Sequence, residues 1–368
     1  MGKRPIPDDD INKWEYKEHT KVKHEILDKY LDAWINILSA THNLNIFDCF
    51  AGRGEYQDGS PGSPVIILRR LTEIRKKRQK PEKASCIFIE KNESNYKNML
   101  SVLENEINNN PLLRGNWLNI TPFNDEFANI TKKVLDESGK RLAPSFFFID
   151  PFGISGVPFQ VIKDILSIKR TELFITFMIR DANRFLESNS HRSCIGDLFN
   201  SNDVLKEISE LYPNLTREQG LLKFYRDKLH NEAKVKYTRP YEMKADERLQ
   251  TTYYLIHCTN NPKGCEIMKE IMFKEGTEGR FGYFGPAQGQ MTLEQFNNIK
   301  LLKKFLLNKF KGQTLTYEDT RYKTLMDTNF SKSHYHETIL ELEEERKIEI
   351  QGKGPKGGLK DNALIFFK

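Results

Sequence analysis

Residues 45–54 read Asn-Ile-Phe-Asp-Cys-Phe-Ala-Gly-Arg-Gly, an apolar run with strand character that breaks at two closely spaced glycines. Gly52 and Gly54 let the backbone turn tightly, and a glycine turn at the end of a strand allows a nucleotide-sized ligand to approach the main chain. The same pattern is also typical of a plain tight turn between a strand and a helix. The rest of the chain has to distinguish these two interpretations.

Four more strand-like runs follow, separated by stretches with helical periodicity. The runs are 85–90, 117–123, 145–150 and 172–178, and the helical stretches are 64–77, 93–108, 127–138 and 158–167. An amphipathic helix over 11–40 precedes the first strand. This alternation predicts right-handed crossovers and an α/β fold with a doubly wound, Rossmann-like parallel sheet.

The sequence after the fifth strand predicts the end of a class I methyltransferase-like sheet. Residues 180–245 read as a polar, mostly helical insert. A last strand over 251–258 and a helix over 261–273 follow the insert. A strand, a helix and a closing strand after the fifth parallel strand are the usual end of such a sheet.

A second domain is predicted at the carboxyl end, after a glycine-rich linker. Three helical stretches and two short strands around a glycine-rich turn predict a winged helix-turn-helix. We therefore divide the chain into an N-terminal helical segment packing on the core (1–44), a methyltransferase-like domain with its insert (45–275), a linker (276–290) and the winged helix (291–368).

Composition excludes several classes of protein. The 368 residues are 38% hydrophobic, which excludes a disordered chain. The 57 Lys and Arg against 51 Asp and Glu leave a net charge of only +6, so charge alone does not indicate a nucleic-acid partner. No apolar run is long enough to cross a bilayer, and the start carries no secretory signal, so we expect a cytoplasmic protein without a membrane partner. The five cysteines form no CxxC pair and the eight histidines show no metal-ligand spacing, so we expect no metal site.

Acidic residues end the first three strands, at the edge where open α/β sheets bind ligands. Asp48 ends the first strand, just before the glycine turn. Glu90 ends the second strand, where a carboxylate accepts both hydroxyls of a ribose, and Asp125 follows the third strand, where a side chain accepts from an adenine amino group. These positions favour the ligand-binding interpretation of the turn.

The expected ligand is S-adenosyl-L-methionine. Gln57 occupies the place of the third glycine of a dinucleotide fingerprint, which disfavours a cofactor with a pyrophosphate. Two lysines of the first helix, Lys21 and Lys23, either reach a charged group of a ligand or are simply solvated. The expected cofactor contacts are Asp48, Ala51, Gly52, Gly54, Glu90 and Asp125.

The fourth strand runs into Asp150-Pro151-Phe152-Gly153. This turn resembles the Asp/Asn-Pro-Pro-aromatic motif of amino-directed methyltransferases, in which the carboxylate and a prolyl carbonyl bind the target amine and the aromatic ring stacks on the base. Asp150, Pro151 and Phe152 are therefore the candidate catalytic residues, acting by orientation and by lone-pair activation. Phe152 stands where the motif has its second proline, and the alternative is that Asp150 caps the turn while Phe152 packs in the core.

The chain resembles the three-Cys-motif partner (TcmP) family over nearly its whole length. The resemblance lies in Phe47–Tyr56, in Gly62-Ser63-Pro64, in Asp150–Gly153 and in the winged-helix tail. The family is bacterial and phage-borne, and its genes lie beside those of three-cysteine proteins that look like radical S-adenosylmethionine enzymes. The resemblance thus implies a methyltransferase-like domain, a winged helix and a three-cysteine protein as partner.

In the tail, the basic and polar residues at the start of the third helix lie where a recognition helix contacts the major groove of DNA. Two lysines on the predicted wing are placed for phosphate or minor-groove contact. The alternative is a protein-docking module, because the far end of the same helix is acidic. The expected contacts with DNA or RNA are Lys332, His334, Tyr335, Lys353 and Lys356.

Two functions remain open from the sequence. As an enzyme, the protein transfers a methyl group to an amine of a nucleic-acid base held by Asp150 and Phe152. As a non-catalytic partner, it uses the same fold and the winged helix to bring nucleic acid to a three-cysteine radical enzyme.

Overall fold

The computed structural model describes residues 15–139, 141–244, 250–277, 281–284, 299–354 and 357–368. The first helix, α1 (Glu18–Leu38), lies inside the amphipathic stretch predicted over 11–40. Residues 1–14 of the predicted N-terminal segment lie outside the described residues. No helix in the described part of the chain is both long enough and apolar enough to cross a membrane.

The first five strands form a parallel sheet. They are β1 (Leu44–Asp48), β2 (Ala84–Ile89), β3 (Leu118–Phe123), β4 (Ser145–Ile149) and β5 (Thr171–Phe177). Their order is β3-β2-β1-β4-β5, and every neighbouring pair is parallel. Because the chain crosses from β3 to β4, the strands β1 and β4 meet at the topological switch point, where open α/β sheets bind their ligands.

Three more strands complete the sheet beyond β5. They are β6 (Tyr237–Met243), β7 (Tyr253–Thr259) and the two-residue β8 (Gly282–Tyr283). The strand β7 lies antiparallel between β5 and β6, and β8 pairs with the outer side of β6. The order 3-2-1-4-5-7-6 with an antiparallel seventh strand is the class I methyltransferase-like arrangement, so the predicted fold class is confirmed.

Helices cover both faces of the sheet, as a doubly wound fold requires. One face carries α1, α2 (Ser63–Arg78), α3 (Glu93–Asn109) and α10 (Pro262–Lys274). The other face carries α4 (Phe127–Glu137), α5 (Phe159–Leu166), α6 (Ile179–Phe185), α7 (Arg192–Phe199), α8 (Val204–Leu211) and α9 (Arg217–Asn231). Side chains of neighbouring strand positions alternate between the two cores, since Phe147 stacks on Phe47 on one side and Phe146 contacts Trp34 on the other.

A buried polar cluster fixes α1 to the sheet. The hydroxyl of Tyr30 donates to Glu172 of β5, and Nε2 of His257 lies 3.0 Å from the same carboxylate oxygen. The ring of Tyr30 also contacts Phe146, at a centroid distance of 5.7 Å. Because the carboxyl end of α1 leads into the start of β1, its amino-terminal half lies at the opposite edge of the sheet, beside the ends of the strands.

The prediction of a helical insert over 180–245 is wrong at its end. The helices α6 to α9 finish at Asn231, and β6 follows as a buried strand. The sequence of β6 contains Arg239 and Pro240, which a central strand normally lacks. Arg239 is nevertheless buried, because its guanidinium donates to Asn329 and Thr328 of the carboxyl-terminal domain.

The carboxyl-terminal domain is a winged helix-turn-helix. Its elements are α11 (Ile299–Phe310), β9 (Thr314–Thr316), α12 (Tyr317–Tyr322), α13 (Lys332–Glu344), β10 (Ile348–Gln351) and β11 (Leu364–Phe367). The strands pair in the order β10-β11-β9, so the predicted ribbon has a third strand, β9. The predicted linker 276–290 lies outside the described residues except for 276–277 and 281–284.

Candidate active site at the carboxyl edge of the sheet

Two adjoining cavities lie at the switch point and share Phe50, Pro151 and Phe152. The first has a volume of about 370 Å³ and opens between α1, the glycine turn after β1 and the end of β4. The second has a volume of about 580 Å³ and lies over the ends of β2 and β3. Together they form one cleft, around which most of the predicted site residues lie.

The glycine turn after β1 needs glycine at both of its key positions. Gly52 and Gly54 have φ values of 63° and 83°, in the left-handed region that other residues rarely adopt. A Cβ on Gly54 would lie 3.2 Å from the side chain of Val102. The carbonyl of Gly54 accepts from the N–H of Gly62 at 2.8 Å, which closes the loop. The turn therefore presents bare backbone to the first cavity.

Glu90 connects the turn to the second cavity. Its carboxylate accepts from the N–H of Gly52 at 2.9 Å and from the N–H of Asn92 at 2.7 Å. The same side chain lines the second cavity. Glu90 thus stands at the place that the sequence predicts for a ribose acceptor, and it also holds the glycine turn in shape.

Asp125 lines the same cavity, beyond the end of β3. Its carboxylate accepts from the N–H of Glu126 and from the side chain of Asn129, and these bonds lower its pKa. The neighbouring Asn124 has a structural role, because its amide donates to the carbonyls of Glu90 and Lys91. Of this pair, Asp125 is the residue that faces the cavity.

Asp48 lies beneath the turn and does not line either cavity. The side chain is completely buried, and neither carboxylate oxygen has a hydrogen-bond partner within ordinary distance among the described residues. Burial raises its pKa to about 7, and the negative charges of Asp150 and Glu90 act in the same direction. Ala51 lines the first cavity, and its N–H donates to the carbonyl of Ile89.

The carboxylate of Asp150 is bound on both oxygens. One oxygen accepts from Nζ of Lys23 in α1, and the other accepts from the hydroxyl of Thr176 in β5 at 2.5 Å. The ammonium group of Lys23 also lies 5.7 Å from the ring centre of Tyr253. Of the two lysines considered from the sequence, Lys23 is therefore the one at the site, since it is largely buried there.

Phe152 and Pro151 separate the two cavities. Pro151 is buried, whereas Phe152 is 59% exposed and stands at the rim of the cleft. An exposed phenylalanine is not a core residue, so the alternative in which Phe152 packs in the core does not hold.

Several residues of the first cavity were not predicted from the sequence. His19, His24, Tyr56, Arg180 and Tyr253 all line it. Burial and the nearby Lys23 lower the pKa of His19 to about 4 and that of His24 to about 3, so both rings are neutral at pH 7. These side chains come from α1, the loop after β1, α6 and β7, so no local motif reveals the cluster.

Among the predicted nucleic-acid residues of the tail, two are buried and two form ion pairs within the winged helix. Tyr335 is buried and its hydroxyl bonds to Thr324 and Thr328, and His334 is largely buried as well. These two positions correct the expectation that both contact a groove, because neither ring is accessible there. Lys332 pairs with Asp361 at 3.2 Å, Lys353 pairs with Glu343, and Lys356 lies outside the described residues.

Metal-ligating side chains do not gather in the described part of the chain, since no group of three or more His, Cys, Asp and Glu could hold an ion there.

Comparison with known proteins adds one family match. Residues 284–355 match the GMT-like wHTH domain. This match and the winged helix seen in the structure agree on the carboxyl-terminal domain. No curated protein matches the chain.

Three solved structures resemble all or part of this chain. Protein LPL1258 from Legionella pneumophila, of the DUF519 family, is 14% identical over 67% of this chain and 86% of its own, with a TM-score of 0.37. Trm1 from Pyrococcus horikoshii, in complex with S-adenosyl-L-methionine, is 14% identical over 98% of this chain and 92% of its own, with a TM-score of 0.35. PKMT2 from Rickettsia typhi, in complex with AdoHcy, is 10% identical over 94% of this chain and 62% of its own, with a TM-score of 0.26.

Proposed function

We propose that the protein binds S-adenosyl-L-methionine in the cleft at the switch point and transfers its methyl group to an amino group of a nucleic-acid base. The observation that carries the proposal is the convergence of the glycine turn, Glu90 and Asp150 on two adjoining cavities. A ligand with a nucleoside at one end and a charged amino-acid arm at the other has the shape and polarity to span both cavities.

The residues of the cleft fit this cofactor. Glu90 and Asp125 supply carboxylate acceptors in the second cavity, for the ribose hydroxyls and the adenine amino group. The first cavity offers the backbone of Ala51, Gly52 and Gly54, and the absence of a Cβ on Gly54 lets this turn pack closely against Val102 of α3. When bound, S-adenosyl-L-methionine would supply an electrophilic methyl group.

Asp150 is proposed to hold the target amine. Its carboxylate already binds the amine nitrogen of Lys23, so the space beside this oxygen accepts an N–H donor. An incoming base amine would replace Lys23 as the donor, while Thr176 keeps the other oxygen in place. The carbonyl of Pro151 would accept the second N–H, and the protein would act by orientation and charge without a covalent intermediate.

The acceptor is proposed to be a base of DNA or RNA. Phe152 offers an exposed ring at the rim of the cleft, and Tyr56 and Tyr253 line the cavity behind it. Aromatic rings stack on bases of any sequence, which suits a site that receives an unstacked base.

Two measurements test this function. Calorimetric titration with S-adenosyl-L-methionine and S-adenosylhomocysteine tests the cofactor site, and the absence of binding would exclude a methyltransferase. Incubation with tritiated cofactor and separate DNA and RNA pools tests transfer. We expect label on nucleic acid with the wild-type protein and none with Asp150→Ala, while Glu126→Ala, in the second cavity but with an exposed side chain, serves as the control.

A second candidate is a non-catalytic partner of a three-cysteine radical enzyme, as the family resemblance implies. The observation that favours it is that both oxygens of Asp150 are engaged, by Lys23 and Thr176. In that case cofactor binding is retained, but no label reaches nucleic acid unless the three-cysteine protein is also present.

A further inference from the structure

The amino end of α13, the recognition helix of the winged helix, packs against α10 of the methyltransferase-like domain. The carboxylate of Glu270 in α10 accepts from the backbone N–H of Lys332, the first residue of α13. The ring of His334 meets Phe273 edge to face, with centroids 5.2 Å apart. The ammonium group of Lys269 lies 5.4 Å from the ring centre of Tyr335.

A buried ion pair beside this contact joins α12 of the winged helix to the same helix, α10. Nε of Arg321, in α12, donates to Glu266 of α10 at 2.7 Å, and both side chains are almost completely buried. The same guanidinium donates to Asp361 at 3.0 Å. A buried ion pair is costly to break from one side, because the charge left behind has no partner.

A third set of bonds reaches the turn before α13 from the sheet. Arg239 of β6 donates to the side chain of Asn329 at 2.8 Å and to the carbonyl of Thr328 at 3.2 Å. Arg239 is buried on a strand where the sequence would otherwise place an apolar residue. The charge on β6 is thus explained by its partners in the winged helix.

These contacts occupy the part of a winged helix that reads DNA. A recognition helix inserts its amino-terminal residues into the major groove, and its first backbone N–H groups attract anions. Here Glu270 supplies the anion at that end of α13. The exposed side of α13 carries Glu337 and Glu344, whose charges repel phosphates.

We propose that α13 is a docking helix whose partner is α10 of the same chain, and that nucleic acid does not bind at its amino end. The winged helix then acts as a fixed part of the methyltransferase-like body. This inference does not depend on the proposed methyl transfer, because it rests on contacts remote from the cleft.

Hydrogen exchange of the full chain, followed by mass spectrometry, tests the docking. In the Glu266→Gln/Glu270→Ala double variant we expect the amides of residues 331–335 and of α10 to exchange about tenfold faster or more, since charge-assisted hydrogen bonds are lost. The milder single variant Glu270→Ala is expected to accelerate residues 331–335 alone. Unchanged exchange in both variants would overturn the proposal.

Lys303→Ala is the matched control, because Lys303 pairs with Glu341 and Glu345 within the winged helix and not with α10. We expect no change in the exchange of α10 in this variant. A second arm adds a mixed-sequence DNA duplex, or an RNA hairpin, to the wild-type protein. Nucleic acid that enters at α13 must displace α10, so faster exchange of the α10 amides on addition of either probe would also overturn the proposal.

Discussion

Lys23 and Asp150 are 127 residues apart in the chain, and the ammonium group of the first is bonded to the carboxylate of the second. The contact joins α1, which precedes the sheet, to the turn after β4. It places a helix from outside the predicted core motif directly in the candidate active site. The acid that the sequence singles out for catalysis therefore has a cation beside it that no local pattern reveals.

The first prediction concerns this pair. Lys23→Met is expected to lower the free energy of unfolding by about 1–3 kcal/mol, because Asp150 loses its charged partner in a largely buried place and keeps the hydrogen bond from Thr176. Urea unfolding measures the change. Lys17→Met is the control, since Lys17 lines the same cavity but is exposed and lies 3.9 Å from Glu15. Equal losses in the two variants would show that the buried pair has no special role.

The second prediction concerns the cofactor site. Glu90→Gln is expected to raise the dissociation constant for S-adenosyl-L-methionine by roughly 10–100-fold, because a charged acceptor for the ribose becomes a neutral one. Calorimetry measures the constant. Glu93→Gln is the control, since Glu93 lines the same cavity but pairs with Lys97 at the surface. Tight binding by the Glu90 variant would remove this residue from the proposed site.

The third prediction separates backbone strain from close packing in the glycine turn. Gly54 and Gly59 both have positive φ, but a Cβ on Gly54 meets Val102 at 3.2 Å whereas a Cβ on Gly59 meets nothing within 4 Å. In both alanine variants the free energy of unfolding is expected to fall by about 1 kcal/mol, because alanine is strained at a positive φ. Only Gly54→Ala is expected to lose cofactor binding as well, as measured by calorimetry. Loss of binding in both variants would point to the loop as a whole.

The fourth prediction concerns pH and the buried Asp48. Its pKa is about 7 in the folded protein and near 3.8 when exposed. At a pH between these two values, the folded chain therefore keeps a proton on Asp48 that the unfolded chain has lost. The free energy of unfolding therefore decreases as the pH rises from about 4 to about 7 and levels off above. Asp48→Asn is expected to remove this slope. The free energy of unfolding of the variant minus that of the wild type is therefore expected to increase by about 1–3 kcal/mol from pH 5 to pH 8.

Urea unfolding of both proteins at the two pH values checks this prediction. The difference between variant and wild type is the informative quantity, because other groups, such as His19, titrate equally in both. Parallel dependence on pH in the two proteins would mean that Asp48 is ionised in the folded state.

The regular part of the fold could be predicted because its signals are local. The apolar run before Gly52 and the alternation that follows predict β1 to β5 and the helices between them to within a few residues. The strand β6 could not be predicted, since Arg239 and Pro240 contradict strand patterning. Arg239 is acceptable there only because Asn329 and Thr328, some 90 residues later, accept its hydrogen bonds.

By itself the sequence determined the α/β fold class, the winged helix at the carboxyl end and the positions of Gly52, Glu90 and Asp150 at strand ends. These follow from periodicity and turn chemistry, which act over a few residues. Only the tertiary structure decided that Lys23 binds Asp150 and that Tyr335 is buried rather than exposed to a groove. The physical reason is that charge pairing and burial depend on which surfaces meet, and the partners of both residues come from distant parts of the chain.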